Sequence, residues 1–566
     1  MINPRKNMIL DLSTDNIPRN IEAEFCIIGG GVAGQMLAET LSAANHDVLV
    51  IESGGRDFDP AVQSLAHGQN IGMPYYDLDE ARLRLFGGTA AIWGGRCAEL
   101  DSIDFEKRDY IPHSGWPIRK RDLSSYYKKS FDFLGVKQPS AENLWTTVGR
   151  KAPPFDANKI DTNLWVFDEK GERFTGPERE TLRKCRIILN ATVTNIDVNE
   201  QNAVQHVRAE SVTGRCTKIF AKSFILAAGA IETIRMLLAS VAKRPNGLGN
   251  DYGVLGRYFM EHPHARGGEF LPNKLAQTLT ALPRAIRRDG QRYAAYLRPA
   301  DLLQRDRKIL NSSISIAPRL REGQKMELFR AVTGKLKHDL PSNRFWRASY
   351  HGMKKLAIKG LEWTDPWSSI ANMKFNGDKL GVFAIIRAEQ APNPDSRILL
   401  SQATDRLGTR QIKLDWQLSE LDKRSVKILM ETVADEYRRL GWGDVALADW
   451  LSETSTRWQT DPLISSHPIG GYHHMGGTRM SLSPNSGVVD KNCKLHGSPN
   501  LYVASSSVFP TGGWANPTVT IMALAFRLAD HLKSGSNKLP IALSRNQISG
   551  HAANAPNPNS TGKRHA

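Results

Sequence analysis

The sequence predicts an α/β protein of more than one domain, and three observations carry that prediction. An apolar run, a glycine turn and an amphipathic helix make a βαβ unit near residue 24. Alternating apolar runs between about 380 and 420 read as antiparallel strands, and a long helix over Ser419 to Leu440 follows them. At 566 residues the chain is several times the roughly 150 of one typical domain, so a large core and a second domain are expected.

Composition narrows the class. Apolar residues are 40% and charged residues 23%, a globular balance that excludes disordered, collagenous and coiled-coil chains. No apolar stretch approaches a membrane span, and the opening MINPRKNMILDLSTDN is polar, which reads as a soluble, cytoplasmic chain without a secretory leader. Cys26, Cys97, Cys185, Cys216 and Cys493 lie far apart with no C-x-x-C, so neither a disulfide framework nor a metal site is expected. Lys and Arg exceed Asp and Glu by 17, and residues 271–360 hold 20 basic against 6 acidic side chains. Such a block is either a solvated insert or a face for an anionic surface or partner.

Taken in order, residues 1–19 read as a loose arm. Phe25-Cys26-Ile27-Ile28 is a strand; Gly29 to Gly34 is a tight turn; Met36, Leu37, Leu41 and Ala44 recur at helical spacing; Val48-Leu49-Val50-Ile51 is a second strand ending at Glu52. Residues 60–80 read as loop with a short helix, and LRLFGGTAAIWGGRCAEL over 83–100 is a second glycine-rich segment. Strand-like runs return at 186–189, 192–196 and 222–226, the last opening through Ala227-Ala228-Gly229-Ala230 into a helix. Within the basic block, Met326, Phe329, Val332, Leu336 and Leu340 share one helical face, and Trp346, Tyr350, Met353, Ala357 and Leu361 share another. Residues 537–566, rich in Asn, Ser, Pro and Gly, read as a flexible tail.

The first motif with chemistry is Gly29-x-Gly31-x-x-Gly34. The first glycine permits the sharp turn, the second admits a pyrophosphate to the backbone N–H groups, and the third allows close helix packing. Glu52, 23 positions after Gly29, ends the second strand where a carboxylate accepts from ribose hydroxyls. This predicts a dinucleotide without a 2′-phosphate and does not separate FAD from NAD.

Four segments then occur in one order: the βαβ unit, Phe86-Gly87-Gly88-Thr89-Ala90-Ala91-Ile92-Trp93-Gly94-Gly95, Ala227 to Thr233, and GGYHHMGGTRM through NPTVT over 470–520. In these the chain resembles the glucose–methanol–choline (GMC) oxidoreductases, with HHMGGTRM and NPT most similar to the bacterial, pyranose-oxidase-like branch. The resemblance implies a discontinuous FAD-binding Rossmann-type domain over 20–125, 180–262 and 475–535. It also implies a second, antiparallel-sheet substrate domain over 126–179 and 263–474, holding the basic insert 271–360.

The resemblance further implies that Gly87, Gly88 and Thr89 lie along the pyrophosphate and flavin, and that Val193, Ala228 and Gly229 lie at the adenine side. Asn516, Pro517 and Thr518 would run beside the flavin. Ile92 stands where some relatives carry a His bonded to the flavin, so FAD is expected to be non-covalent. Ser505 stands where many relatives have Asp. Counting back four residues from Thr478 makes His474 the base, with Asn516 its partner. Neighbours in an extended segment point to opposite sides, so only one of His473 and His474 should face the flavin. His262 and His264 read as structural, Trp363 and Trp367 as core, and Trp514 as core or pocket wall.

The implied activity is oxidation of a CH–OH group of a polar, sugar- or polyol-like alcohol, with O₂ or another electron acceptor. The alternatives are a non-redox lyase of the same family, and a binding protein with a vestigial flavin fold. No nucleic-acid motif is visible. The paired amphipathic faces instead make residues 321–361 a candidate peripheral contact with an anionic membrane or a protein.

Overall fold

The computed structural model describes residues 8–137, 144–169, 173–321, 370–371, 373, 379–453, 457–462, 464 and 468–535. Its first sheet is parallel at the centre, in the order Met8–Asp11, Arg186–Leu189, Val48–Ile51, Asn20–Ile28, Cys216–Leu226. The far edge of Cys216–Leu226 is shared. Its first half pairs with the antiparallel strand Val204–Glu210, and its last three residues pair in parallel with Leu501–Val503. Asn20–Ile28 and Val48–Ile51 end in wholly buried apolar runs, as strands covered on both faces must. The helix Val32–Ala43 packs on these two strands with Met36, Leu37 and Leu41 buried, and Thr518–Gly535 packs on that helix in turn with Val519, Met522 and Phe526 buried.

The second sheet is antiparallel throughout, in the order Gly443–Leu447, His264–Pro272, Leu380–Ala388, Ser312–Leu320, Gln291–Pro299, Ile160–Phe167, Arg96–Cys97. The helix Glu420–Arg439 packs on it through Val426, Leu429, Met430, Val433 and Tyr437. This helix starts where Ser419 and Asp422 form a reciprocal capping box, a sequence signal of an N-terminus. A third, small sheet joins the hairpin Arg397–Thr404 and Arg410–Asp415 to Gly68–Asn70.

Three expectations change. The arm 1–19 is not loose over its described part: Met8–Asp11 is an edge strand beside Arg186–Leu189, locked by Asn190 Nδ2 donating to Asp11 Oδ2 at 2.7 Å. Segment 20–125 does not stay with the first sheet, because Arg96–Cys97 joins the second and Gly68–Asn70 the third. The basic block is not a solvated insert over 271–321. Gln291–Pro299 and Ser312–Leu320 are central strands of the second sheet, where Arg292 lies over the Phe167 ring at 4.2 Å and Arg298 pairs with Asp161 at 2.6 Å.

The two amphipathic faces over 326–361, Trp363, Trp367 and the tail from 537 lie outside the described residues. Among the described residues no helix is long and apolar enough to cross a membrane, and no cluster of His, Cys, Asp and Glu has the makings of a metal site. All five cysteines are free thiols.

Candidate active site

A cavity of about 600 Å³ runs from the glycine turn of the first sheet to the inner face of the second. Of the predicted cradle residues, Gly29, Gly31, Glu52, Gly87, Gly88, Thr89, Val193, Ala228, Gly229, Asn516, Pro517 and Thr518 all line it, as do Ile92 and Ser505. Gly34 does not line it and is required by packing, since a Cβ there would stand 1.9 Å from the Gly29 carbonyl oxygen. Gly29 has φ +113°, which favours glycine, and a Cβ would stand 2.5 Å from the Ala227 carbonyl oxygen.

Gly31 has neither reason. Its φ is −76°, open to any residue, and a Cβ would meet no protein atom within 4 Å. What the bare backbone accommodates there must therefore come from the cavity, at the N-terminus of the helix Val32–Ala43, which favours an anion. Glu52 accepts from Gly30 N at 2.7 Å and Gly54 N at 2.8 Å, so its carboxylate is pinned at the cavity edge with lone pairs left over. Burial pushes its pKa up, against those hydrogen bonds. Ser505 accepts from Ser507 N at 3.1 Å, a short cap for the turn Ser506–Val508.

At the opposite end the structure separates the two adjacent histidines. Asn516 Nδ2 meets His473 Nε2 at 2.9 Å; the expected pairing of Asn516 with His474 does not occur. His474 turns the other way, its Nε2 3.0 Å from Tyr75 Oη, which itself donates to Glu261 Oε2 at 2.6 Å. The phenol has one proton and spends it on Glu261, so His474 is the donor in its own contact. Burial, with help from Arg82, pushes the His474 imidazole down to about 3.

The sequence GGYHHM is what this seat needs. A Cβ on Gly470 would strike Glu261 at 2.6 Å, and one on Gly471 would strike the His473 ring at 2.6 Å. Glu261 then holds the His473 backbone N–H at 2.8 Å, with the N–H groups of His262 and Gly471 at 2.9 and 3.2 Å. Burial pushes the Glu261 carboxyl up to about 7 despite these donors.

The tautomer of His473 follows from its neighbours. The Gly513 carbonyl lies 2.8 Å from His262 Nε2 and only accepts, so that nitrogen carries the proton. Burial pushes His262 down to about 4, hence the ring is neutral and its Nδ1 has a lone pair. His262 Nδ1 lies 2.7 Å from His473 Nδ1, which must therefore donate. Burial, then His262, His264, Arg387 and His474, push His473 well below the ordinary imidazole value. It is neutral too, so its Nε2, on the cavity wall, accepts from the Asn516 amide.

Tyr75, Glu261 and His262 carry this arrangement, and none was singled out as part of the active chemistry by sequence. His262 is fully buried behind the His473 imidazole, whereas His264 lines the cavity itself. Trp514 stands one layer back: it is 2% exposed, donates to Asp101 Oδ2 at 2.6 Å and packs at a tilt against Tyr296, ring centroids 4.3 Å apart.

Comparison with known proteins agrees with this architecture. Residues 24–264 match the family described as FAD dependent oxidoreductase, and residues 392–525 match the family described as GMC oxidoreductase. The chain is 23% identical to 2-methyl-1,2-propanediol dehydrogenase of Mycolicibacterium austroafricanum over 590 aligned residues, covering 90% of this chain and 95% of that one. It is 24% identical to the fructose dehydrogenase large subunit of Gluconobacter japonicus, covering 90% and 97%. A formate oxidase structure from Aspergillus oryzae RIB40 superposes with a TM-score of 0.52 at 16% identity, over 92% of this chain and 99% of that one, a likeness of fold.

Proposed function

We propose that this chain, whose residues 392–525 match the GMC oxidoreductases, is an enzyme of that family that oxidises a CH–OH group of a polar alcohol, with FAD as oxidant and His473 as base. The observation that carries the assignment is the 2.9 Å contact of Asn516 Nδ2 with His473 Nε2 on the cavity wall. Gly31, Glu52, Gly87, Gly88 and Thr89 would hold the pyrophosphate and ribose, and Val193, Ala228 and Gly229 the adenine side. Pro517 and Thr518, opening the helix Thr518–Gly535, would hold the flavin's pyrimidine end. The apolar Ile92 side chain on the wall supports non-covalent attachment.

Alcohol oxidation removes a proton from oxygen and a hydride from carbon, and bound FAD supplies the hydride acceptor. The Gly513–His262 chain leaves His473 Nε2 as an acceptor, which the Asn516 amide fills at 2.9 Å; the substrate hydroxyl takes the place of that N–H and gives its proton to Nε2. The Asn516 N–H steadies the oxygen as negative charge grows on it. A fructose dehydrogenase and a diol dehydrogenase among the relatives support a polyol- or sugar-like substrate. Anaerobic mixing of the yellow holoprotein with an alcohol panel tests the proposal: bleaching is expected. Cleavage of an added substrate with the flavin left oxidised would instead favour a lyase.

The pH profile of that bleaching has a defined shape. The base works unprotonated and its pKa is depressed, so kcat/KM should stay level down through the ordinary imidazole range near about 6.5 and fall only in more acid solution. Any inflection near 7 belongs to Glu261 and should vanish in Glu261→Gln. An acid limb centred at the ordinary value that persists in that variant would contradict the assignment.

Gly31→Ala isolates the cofactor cradle. No protein neighbour meets the new methyl, so the melting temperature of the flavin-free protein should not move. FAD affinity should fall about tenfold or more, ~1.4 kcal/mol, measured by titrating flavin into that protein. Unchanged affinity would show that nothing approaches this backbone closely.

A further inference from the structure

The cavity wall carries two kinds of arginine. Arg82 and Arg84 meet the Glu232 carboxylate at 2.7 and 2.5 Å, and Arg235 meets Asp405 at 2.6 Å. Burial works against ionisation of Glu232, yet Arg84, Arg82 and Arg235 together hold it well below the usual carboxylate range. Each arginine of that cluster has a carboxylate partner within the protein.

Arg96 and Arg387 are not. Arg387 lies on Leu380–Ala388 in register with His264, and Arg96 lies on Arg96–Cys97 in register with Phe167. Both line the cavity, and their guanidinium carbons stand 5.5 and 5.3 Å from the centroid of one ring, Trp165. Among the described residues no carboxylate pairs with either. Arg387 donates to Ser315 Oγ at 3.2 Å, while Arg96 Nε and the Nε1 of the 1% exposed Trp165 are buried without an acceptor. Burial, Arg292 and Arg284 push Arg96 down to about 10; burial, Arg96 and Arg319 push Arg387 well below its usual value.

Two guanidinium forks beside one aromatic ring, without a counter-charge, suit the charge and hydrogen-bonding needs of a carboxylate or phosphate. We infer that the alcohol oxidised here also carries an anionic group, a carboxylate or phosphate, which binds between Arg96 and Arg387 against Trp165. The inference deepens the alcohol-oxidising reading above and rests on it for the words "alcohol" and "oxidised". It also couples binding to the base: Arg387 is one of the charges that depress His473, so an anion seated on it strengthens the imidazole as a proton acceptor when substrate arrives.

The test separates binding from turnover. Titrating the holoenzyme with malonate, which offers no alcohol, and with malonamide, its neutral counterpart, reads the anion site through the flavin difference spectrum and calorimetry. Malonate should bind at least about tenfold more tightly than malonamide, and about tenfold more weakly to Arg96→Gln and to Arg387→Gln than to the parent. Both variants should melt no lower than the parent, because each removes one of two crowded cations. Equal binding of diacid and diamide, or malonate affinity unchanged in both variants, overturns the site. In turnover, glycerate and glycerol 3-phosphate are compared with glycerol. Faster flavin reduction by either anion supports the assignment and says which group fits. Reduction by glycerol as readily as by both anions, with KM unmoved in the variants, overturns it and leaves the oxidoreductase reading intact. Tight malonate binding with no reduction by any alcohol upholds the anion site and sinks the oxidoreductase reading instead.

Discussion

Replacing His473 by alanine is expected to slow anaerobic flavin reduction by the alcohol by about 10²- to 10⁴-fold, the usual contribution of a positioned proton acceptor, while the protein stays yellow. The His473 ring is joined to Asn516 on one nitrogen and His262 on the other, so removing it deletes the acceptor and leaves the cradle around Gly31 and Glu52 untouched. His474→Ala is the control. Its Nε2 is committed to Tyr75, on the side away from Asn516, so its loss should disturb the packing around Glu261 and cost far less in rate. Stopped-flow reduction of both variants decides the matter. If His474→Ala loses as much as His473→Ala, or His473→Ala reduces at the parent rate, the base is misassigned.

The neighbouring histidines also mark where the sequence stops being legible. HHMGGTRM holds two histidines and two glycines in tandem, so counting back four from Thr478 selects His474, while the same step from Gly477 selects His473. Spacing alone cannot choose between the two registers. The two side chains part, one meeting Asn516 and the other Tyr75, but both line the cavity. Which one faces which is set by Glu261 gripping the His473 backbone from 212 positions away.

The βαβ unit was legible because everything that forms it lies in one short stretch: the apolar run, the glycines, the helical spacing and Glu52. The strands Gln291–Pro299 and Ser312–Leu320 were hidden by the opposite circumstance. A charge count over ninety residues averages away the alternation of strands whose arginines stack on Phe167 or pair with Asp161. Met8–Asp11 was missed because four residues carry too little pattern, and pairing with a strand nearly 180 positions away decides their state.

Glu389→Ala should be the most destabilising of the changes considered. Arg108 and Glu389 are both 0% exposed at the side chain, and their contact is two-pronged, Nη1–Oε2 at 3.0 Å and Nη2–Oε1 at 2.5 Å. Glu389 Oε2 also accepts from Asn311 N at 2.8 Å, and Asn311 Nδ2 reaches Asp104 and Asp101, each at 3.0 Å. Asp101 in turn holds the indole of Trp514, two residues before Asn516. The pair therefore ties the end of Leu380–Ala388 to the segment after Ser102–Phe105, and through Trp514 to the site. Removing one partner strands the other charge without water, which costs about 3–5 kcal/mol, whereas replacing both with apolar side chains of similar volume is often nearly neutral. Thermal or urea unfolding should accordingly give a large loss for Glu389→Ala. Most of it should be regained when Glu389→Met is combined with Arg108→Met, although flavin reduction in the double variant should remain impaired, because the Asn311 backbone N–H has lost its acceptor. A single variant that unfolds at the parent midpoint would mean that the pair is hydrated and contributes little. A double variant no better than the single would mean that the geometry of the fork, not the stranded charge, is what the fold depends on.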